Sequence, residues 1–127
     1  MRDLYNNIGV VHAVPPQVIT ATQTSAAIDL TAVSGAVVHV NTGAIVASGS
    51  VTPKLQECAT VGGTYTDVAA ADLLGAFPAL LVTNTAIKVG YNGTKPFLKV
   101  VLTFNSGTSV AASATVITGF GNRHPIP

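Results

Sequence analysis

Residues 85–120 alternate with a period of two, a pattern that fits strands and excludes helices. Thr85, Ile87, Val89 and Tyr91 alternate with Ala86, Lys88 and Gly90. After Asn92-Gly93-Thr94, Leu98, Val100, Leu102 and Phe104 fall on one side, with Lys99, Val101 and Thr103 on the other. Past Asn105-Ser106-Gly107 the pattern resumes as Ala112, Ala114, Val116, Thr118 and Phe120. Successive side chains of a strand point to opposite faces, so each segment has a face suited to a core. The spacing predicts three consecutive antiparallel strands.

The rest of the chain reads in the same way. Residues 8–14 form a first strand candidate that Pro15-Pro16 should stop, because proline cannot donate to a ladder. Candidates at 18–22 and 26–30 follow, joined by the polar Gln23-Thr24-Ser25. In 36–41, Ala36, Val38 and Val40 share one face, and Val37 and His39 share the other. Turns are expected at Thr42-Gly43 and at Ser48-Gly49-Ser50. In 51–59, Val51, Pro53 and Leu55 oppose Thr52, Lys54 and Gln56, and Gly62-Gly63 then reads as a hairpin into 64–68.

One short helix near residues 68–74 is the most the sequence supports, capped by Asp67 and ended by Gly75 and Pro78. The expected fold is therefore all-β, an antiparallel β-sandwich or jelly roll of about eight strands. Residues 8–121 would form its single domain, with an N-terminal arm at 1–7 and a tail at 122–127.

Composition narrows the function. Of 127 residues, 48% are apolar and 9% are charged, against about 25% charged in an average soluble domain. Disordered chains are rich in charge, so a folded body is expected. The net charge of +1, with no basic run, argues against direct nucleic-acid binding through phosphate neutralisation. The greasiest stretch, 69–82, is interrupted by Asp72, Gly75 and Pro78 and is too short to span a membrane. The N-terminus does not read as a secretory signal, and Cys58, the sole cysteine, has no intrachain partner. Synthesis in a reducing host cytoplasm is the expectation.

No motif calls for catalysis or a cofactor. His12, His39 and His124 lack metal-ligand spacing, and His39 reads as a polar-face strand residue. Cys58 has no neighbouring base and reads as a small buried residue. Asp3, Asp29, Glu57, Asp67 and Asp72 offer too few acids, without clustered aromatics, for a two-carboxylate glycosidase. Gly62-Gly63-Thr64 and Gly93-Thr94-Lys95 lack the spacing of a phosphate loop.

A resemblance points further. Asp3-Leu4-Tyr5-Asn6-Asn7-Ile8, Leu55-Gln56-Glu57, Gly63-Thr64-Tyr65-Thr66-Asp67-Val68, the run from Val89-Gly90-Tyr91-Asn92-Gly93 through Thr94-Lys95-Pro96-Phe97-Leu98-Lys99-Val100, and Gly121-Asn122-Arg123-His124-Pro125 occur in this order. Together they resemble a family of small virion proteins of tailed bacteriophages encoded near the major capsid protein. Where similar proteins often read Ser-Asp-Asp-Gly before the tyrosine, this chain has Cys58-Ala59-Thr60-Val61-Gly62-Gly63. The resemblance implies a non-enzymatic head protein, a decoration or cement protein with a β-sandwich body.

On that reading the chain sits on the capsid surface of the virion, with the major capsid protein and further copies of itself as partners. A symmetric homo-oligomer is expected, with a trimer as the working number. Arg2, Leu4 and Tyr5 in the arm, with Arg123 and His124 in the tail, are the expected contact residues, since Arg and Tyr are enriched at binding hot spots. A head-fibre base or glycan-binding module, and a tail-tube or head-completion component, are the alternatives.

Overall fold

The computed structural model describes residues 3–33 and 35–119. The described residues form ten antiparallel strands: β1 (Ile8–Ile19), β2 (Gln23–Thr24), β3 (Ile28–Asp29), β4 (Gly35–Val46), β5 (Ser50–Cys58), β6 (Thr66–Asp67), β7 (Leu73–Leu74), β8 (Ala86–Tyr91), β9 (Phe97–Ser106) and β10 (Ser109–Gly119). Six are long and four have two residues; β2 and β7 are the strands that the expected eight lacked. One sheet has the order β1-β10-β4-β8-β7, and the other β2-β9-β5-β6, with β3 also paired to β9. We call them sheet A and sheet B. None of the described residues forms a helix long and apolar enough to cross a membrane.

The alternation sets the core. From sheet A, Ala36, Val38, Val40, Val89, Ala112, Ala114 and Val116 face inward. From sheet B, Val51, Leu55, Leu98, Val100 and Leu102 meet them, with Ile19 and Ile28 filling the margins. Fully burying side chains of this size is worth about 1.5–3 kcal/mol each.

The three strands of the last third do not pair with one another. β8 and β10 lie in sheet A on either side of β4, and β9 lies in sheet B beside β5. Each turn between them carries the chain across the sandwich. The turn after β4 does the same. There Gly49 N–H donates to Val46 C=O (3.1 Å), and Ala47 and Ser48 both have positive φ, 51° and 59°. That is the geometry of a type I′ turn.

Four local expectations are corrected. Pro15 and Pro16 do not end the first strand, because β1 is an edge strand whose register against β10 shifts at 12–14 and 14–17, so the prolines need not donate to a ladder. Thr42-Gly43 is not a turn. Thr42 N–H donates to Thr85 C=O (2.7 Å) and Asn84 N–H to Gly43 C=O (3.0 Å), which keeps β4 extended to Val46. Asp67 caps no helix, because it lies in β6, accepting from Gln56 Nε2 (3.0 Å) beside Lys54 Nζ (3.4 Å). Only a 3-10 turn forms at Ala70–Asp72, and Leu73–Leu74 then pairs with β8. The segment 23–25, read as a connector, closes the margin of β9. Gln23–Thr24 pairs there, Ser25 N–H donates to Val100 C=O (2.9 Å), and Val100 N–H donates to Ser25 Oγ (2.9 Å).

Candidate docking face

The side of sheet A turned away from the core is organised in rows that run across the strands. Register places Val10 beside Ile117, Ile117 beside Val37, Val37 beside Gly90, and Gly90 beside Leu74. This row crosses all five strands without a polar side chain. Val10 is 64% exposed and Leu74 62% exposed, while Val37 and Ile117 are half-buried. Gly90 lets Leu74 lie down on the sheet, since a Cβ there would come within 3.0 Å of the leucine Cβ. The depression along the Ile117, Val37 and Gly90 part of the row, with Ile8 at one end, has a volume of about 320 Å³.

The adjacent row is polar. His12 pairs with Thr115, Thr115 with His39, and His39 with Lys88. The next holds Ser113, Asn41 and Ala86. One end of the outer face is therefore apolar across the sheet, and the middle carries two imidazoles and one ammonium. The placement of His39 on the wet face of its strand is as the alternation indicated.

Of the expected contact residues, Leu4 and Tyr5 stand beside the start of β1, 57% and 87% exposed. Leu4 N-caps, and Tyr5 opens, a 3-10 turn over Tyr5–Asn7, in which Asn6 N–H donates to Asp3 Oδ1 (3.1 Å) and Asn6 Nδ2 to Asp3 Oδ2 (2.7 Å). Arg2, Arg123 and His124 lie outside the described residues. The row of Val10, Ile117, Val37 and Leu74 was not among the residues singled out from sequence. Alternation places Val37 and Ile117 on the faces opposite their inward series, but Leu74 fell in the expected helix, and only the pairing register shows that the four adjoin.

A part-buried polar cluster lies at one end of the sandwich. A cavity of about 250 Å³ lies beside Leu30, Tyr91, Gly93 and Lys95. Tyr91 Oη donates to Glu57 Oε2 (2.5 Å) and accepts from Lys95 N–H (3.1 Å). Burial, and then the carboxylate of Glu57, push the Tyr91 phenol well above its usual range. Elsewhere Lys99 Nζ lies 4.5 Å from the centre of the Tyr65 ring, and Tyr65 Oη donates to Val61 C=O (2.9 Å). Cys58 is half-buried, with its Sγ 3.9 Å from Thr60 Oγ1. Among the described residues no three His, Cys, Asp or Glu side chains are grouped to hold a metal ion.

No family model matches the chain, and no curated protein matches it. Two of the solved structures that align with it differ in how closely they do so. The SPBc2 prophage-derived protein YomS is 12% identical with a TM-score of 0.52, over 89% of this chain and 93% of that one. A chain in the structure of infectious bursal disease virus, Gx strain, is 16% identical with a TM-score of 0.46, over 94% of this chain and 33% of that one. At such identity the likeness to YomS is one of fold, extending over nearly the full length of both chains.

Proposed function

We propose that this chain is a structural virion protein of a tailed phage that docks on the outside of the capsid and bridges subunits of the major capsid protein. The observation that carries the reading is the apolar row Val10–Ile117–Val37–Gly90–Leu74, an ordered strip of exposed hydrocarbon on a rigid sheet. Such a strip loses little conformational freedom on docking and gains from being taken out of water. The low charge content, 9% of residues, leaves few ions to desolvate around it. The family resemblance of the sequence and the shared fold of a prophage-derived protein support the same reading.

The mechanism is adhesive. A specific contact of ordinary size buries about 1,600 Å² in total, and identical contacts repeated over a shell add up without any one being tight. A clamp of this kind holds neighbouring subunits together without touching the packaged DNA.

Two measurements test it. Quantified gels of purified virions should show hundreds of copies per particle. About a dozen would assign the protein to the tail tube or head completion, and none would end the virion reading. Leu74→Asp, placed at the far end of the row on an exposed side chain, should leave the fold intact and weaken binding to empty capsids at least tenfold. Unchanged binding would show that the row is not the docking strip.

A further inference from the structure

The sheet margins are closed to different extents. The margin of β9 is covered by β2, Ser25 and β3. That of β5 is covered by β6 and by the 79–81 loop, where Leu81 N–H donates to Val51 C=O (2.9 Å) and Thr52 Oγ1 to Ala79 C=O (2.9 Å). β7 covers the end of β8, and the exposed Lys88 stands on the remainder. β1 is different. Among the described residues, 8–12 pair with β10 on one side only, in continuous register, and contain no Lys, Arg, Asp or Glu. Alternate N–H and C=O groups of such a strand point away from its neighbour. Proteins usually blunt an edge of that kind with charge, proline or a bulge, and here those devices begin only at residue 13. Exposed hydrocarbon is concentrated at the same place. Of the ten large exposed apolar side chains among the described residues, Leu4, Tyr5, Val10 and Val11 lie at or beside this stretch, and Val18 lies further along β1 beyond the prolines.

We propose that β1 pairs antiparallel with β1 of a second copy about a two-fold axis at Val10. The occupant is a second copy because the segment is self-complementary in that register. Val10 meets Val10, Gly9 meets Val11, and Ile8 meets His12, with no like charges brought face to face. Five residue pairs give roughly four to six main-chain hydrogen bonds. The exposed Leu4 and Tyr5 of each copy stand beside the start of the paired stretch. The same register also aligns the apolar rows, since each ends on Val10 at the shared edge. The two sheets become one of ten strands, and the combined row runs roughly 43 Å at the ordinary strand spacing of about 4.8 Å. The polar rows, with His12 and His39, then flank it on opposite sides. The association is two-fold, where the sequence reading carried a three-fold working number. It stands on the edge itself and goes beyond the capsid reading.

Sedimentation or light scattering of the purified full chain gives the first test. The expected mass is twice 12.8 kDa at micromolar concentration. Val10→Lys and Val10→Glu should each give folded monomers, and an equimolar mixture of the two should recover the double mass, because the charges then face each other across the axis. In a Cys58→Ser background, Val10→Cys should oxidise to a covalent dimer, and Val18→Cys should not. A monomeric wild-type chain with no cross-link at position 10 overturns the proposal, as does a dimer that survives both charge variants. A dimer that ignores capsids would sink the capsid reading alone, and a monomer that decorates them would sink only this one.

Discussion

Tyr91 and Glu57 join the two sheets across the end of the sandwich. The phenol on β8 donates to the carboxylate on β5 at 2.5 Å, and the Lys95 N–H closes the third point of the contact. Both residues continue the inward-facing series of their strands, Glu57 opposite Leu98 and Tyr91 opposite Ala36. A polar pair therefore ends the core where apolar residues would leave the mouth of the sandwich open to water.

Tyr91→Phe removes the donor and leaves Glu57 and the Lys95 N–H short of a partner, so a loss of about 1–3 kcal/mol is expected from denaturant melts. The pH dependence has a definite sign. Folding raises the phenol above its ordinary value of 10.0, so its contribution is whole below that value and is lost as pH rises through the higher folded one. The wild-type chain should lose stability above pH 10 more steeply than Tyr91→Phe, measured by thermal melts from pH 8 to 11.

The turn after β4 holds two non-glycine residues in the left-handed region, Ala47 and Ser48. The double substitution Ala47→Asn with Ser48→Gly supplies the residues that a type I′ turn favours, and should raise stability by about 1–2 kcal/mol. Calorimetry would read this as a higher Tm, and an unchanged or lower Tm would contradict the strain assigned to the turn.

Gly49 and Gly107 belong to two turns that press against each other. A Cβ on Gly107 would sit 2.5 Å from Gly49 Cα, and one on Gly49 would sit 2.3 Å from Ser109 C=O. Gly107 also has φ +86°. Gly107→Ala should cost more than about 2 kcal/mol, and its steric part should not be rescued by changes elsewhere in the turn. Gly62, whose added Cβ meets nothing within 4 Å, is the control, with Gly62→Ala close to neutral.

Pro15 and Pro16 confine the open edge of β1 to its first residues. Replacing both by Thr lengthens the edge and removes the block to further pairing. Larger, polydisperse species in light scattering at unchanged secondary structure are the expected result, and a sharp profile like that of the wild type would show that the prolines have no guarding role.

The inward and outward faces of the long strands were legible in the sequence because they depend only on alternation within a segment. Val38, Val40, Leu98, Val100, Leu102 and Val116 are all at 0% exposure on the faces so assigned. Partnership between segments was not legible. The alternation in 86–91, 97–106 and 109–119 suits a meander as well as it suits strands that switch sheets, and only the complete packing selects between them. The prolines of β1 misled for a related reason. Proline is incompatible with a central ladder, and centrality is a property of the sheet, not of the segment. The docking row was hidden in the same way, since Val10, Ile117, Val37 and Leu74 come from four strands spread along the chain.

The position of β10 between β1 and β4 has a consequence for biosynthesis. Ile8 leaves the ribosome about a hundred residues ahead of its partner Gly119, which is among the last residues of the described fold to be made. Until β10 emerges, β1 and β4 have no strand between them, so the nascent chain must wait with one hydrophobic layer unassembled. Nearly all-or-none acquisition of protease resistance once residues 109–119 have emerged, rather than stepwise gain as the earlier strands appear, is what that connectivity dictates.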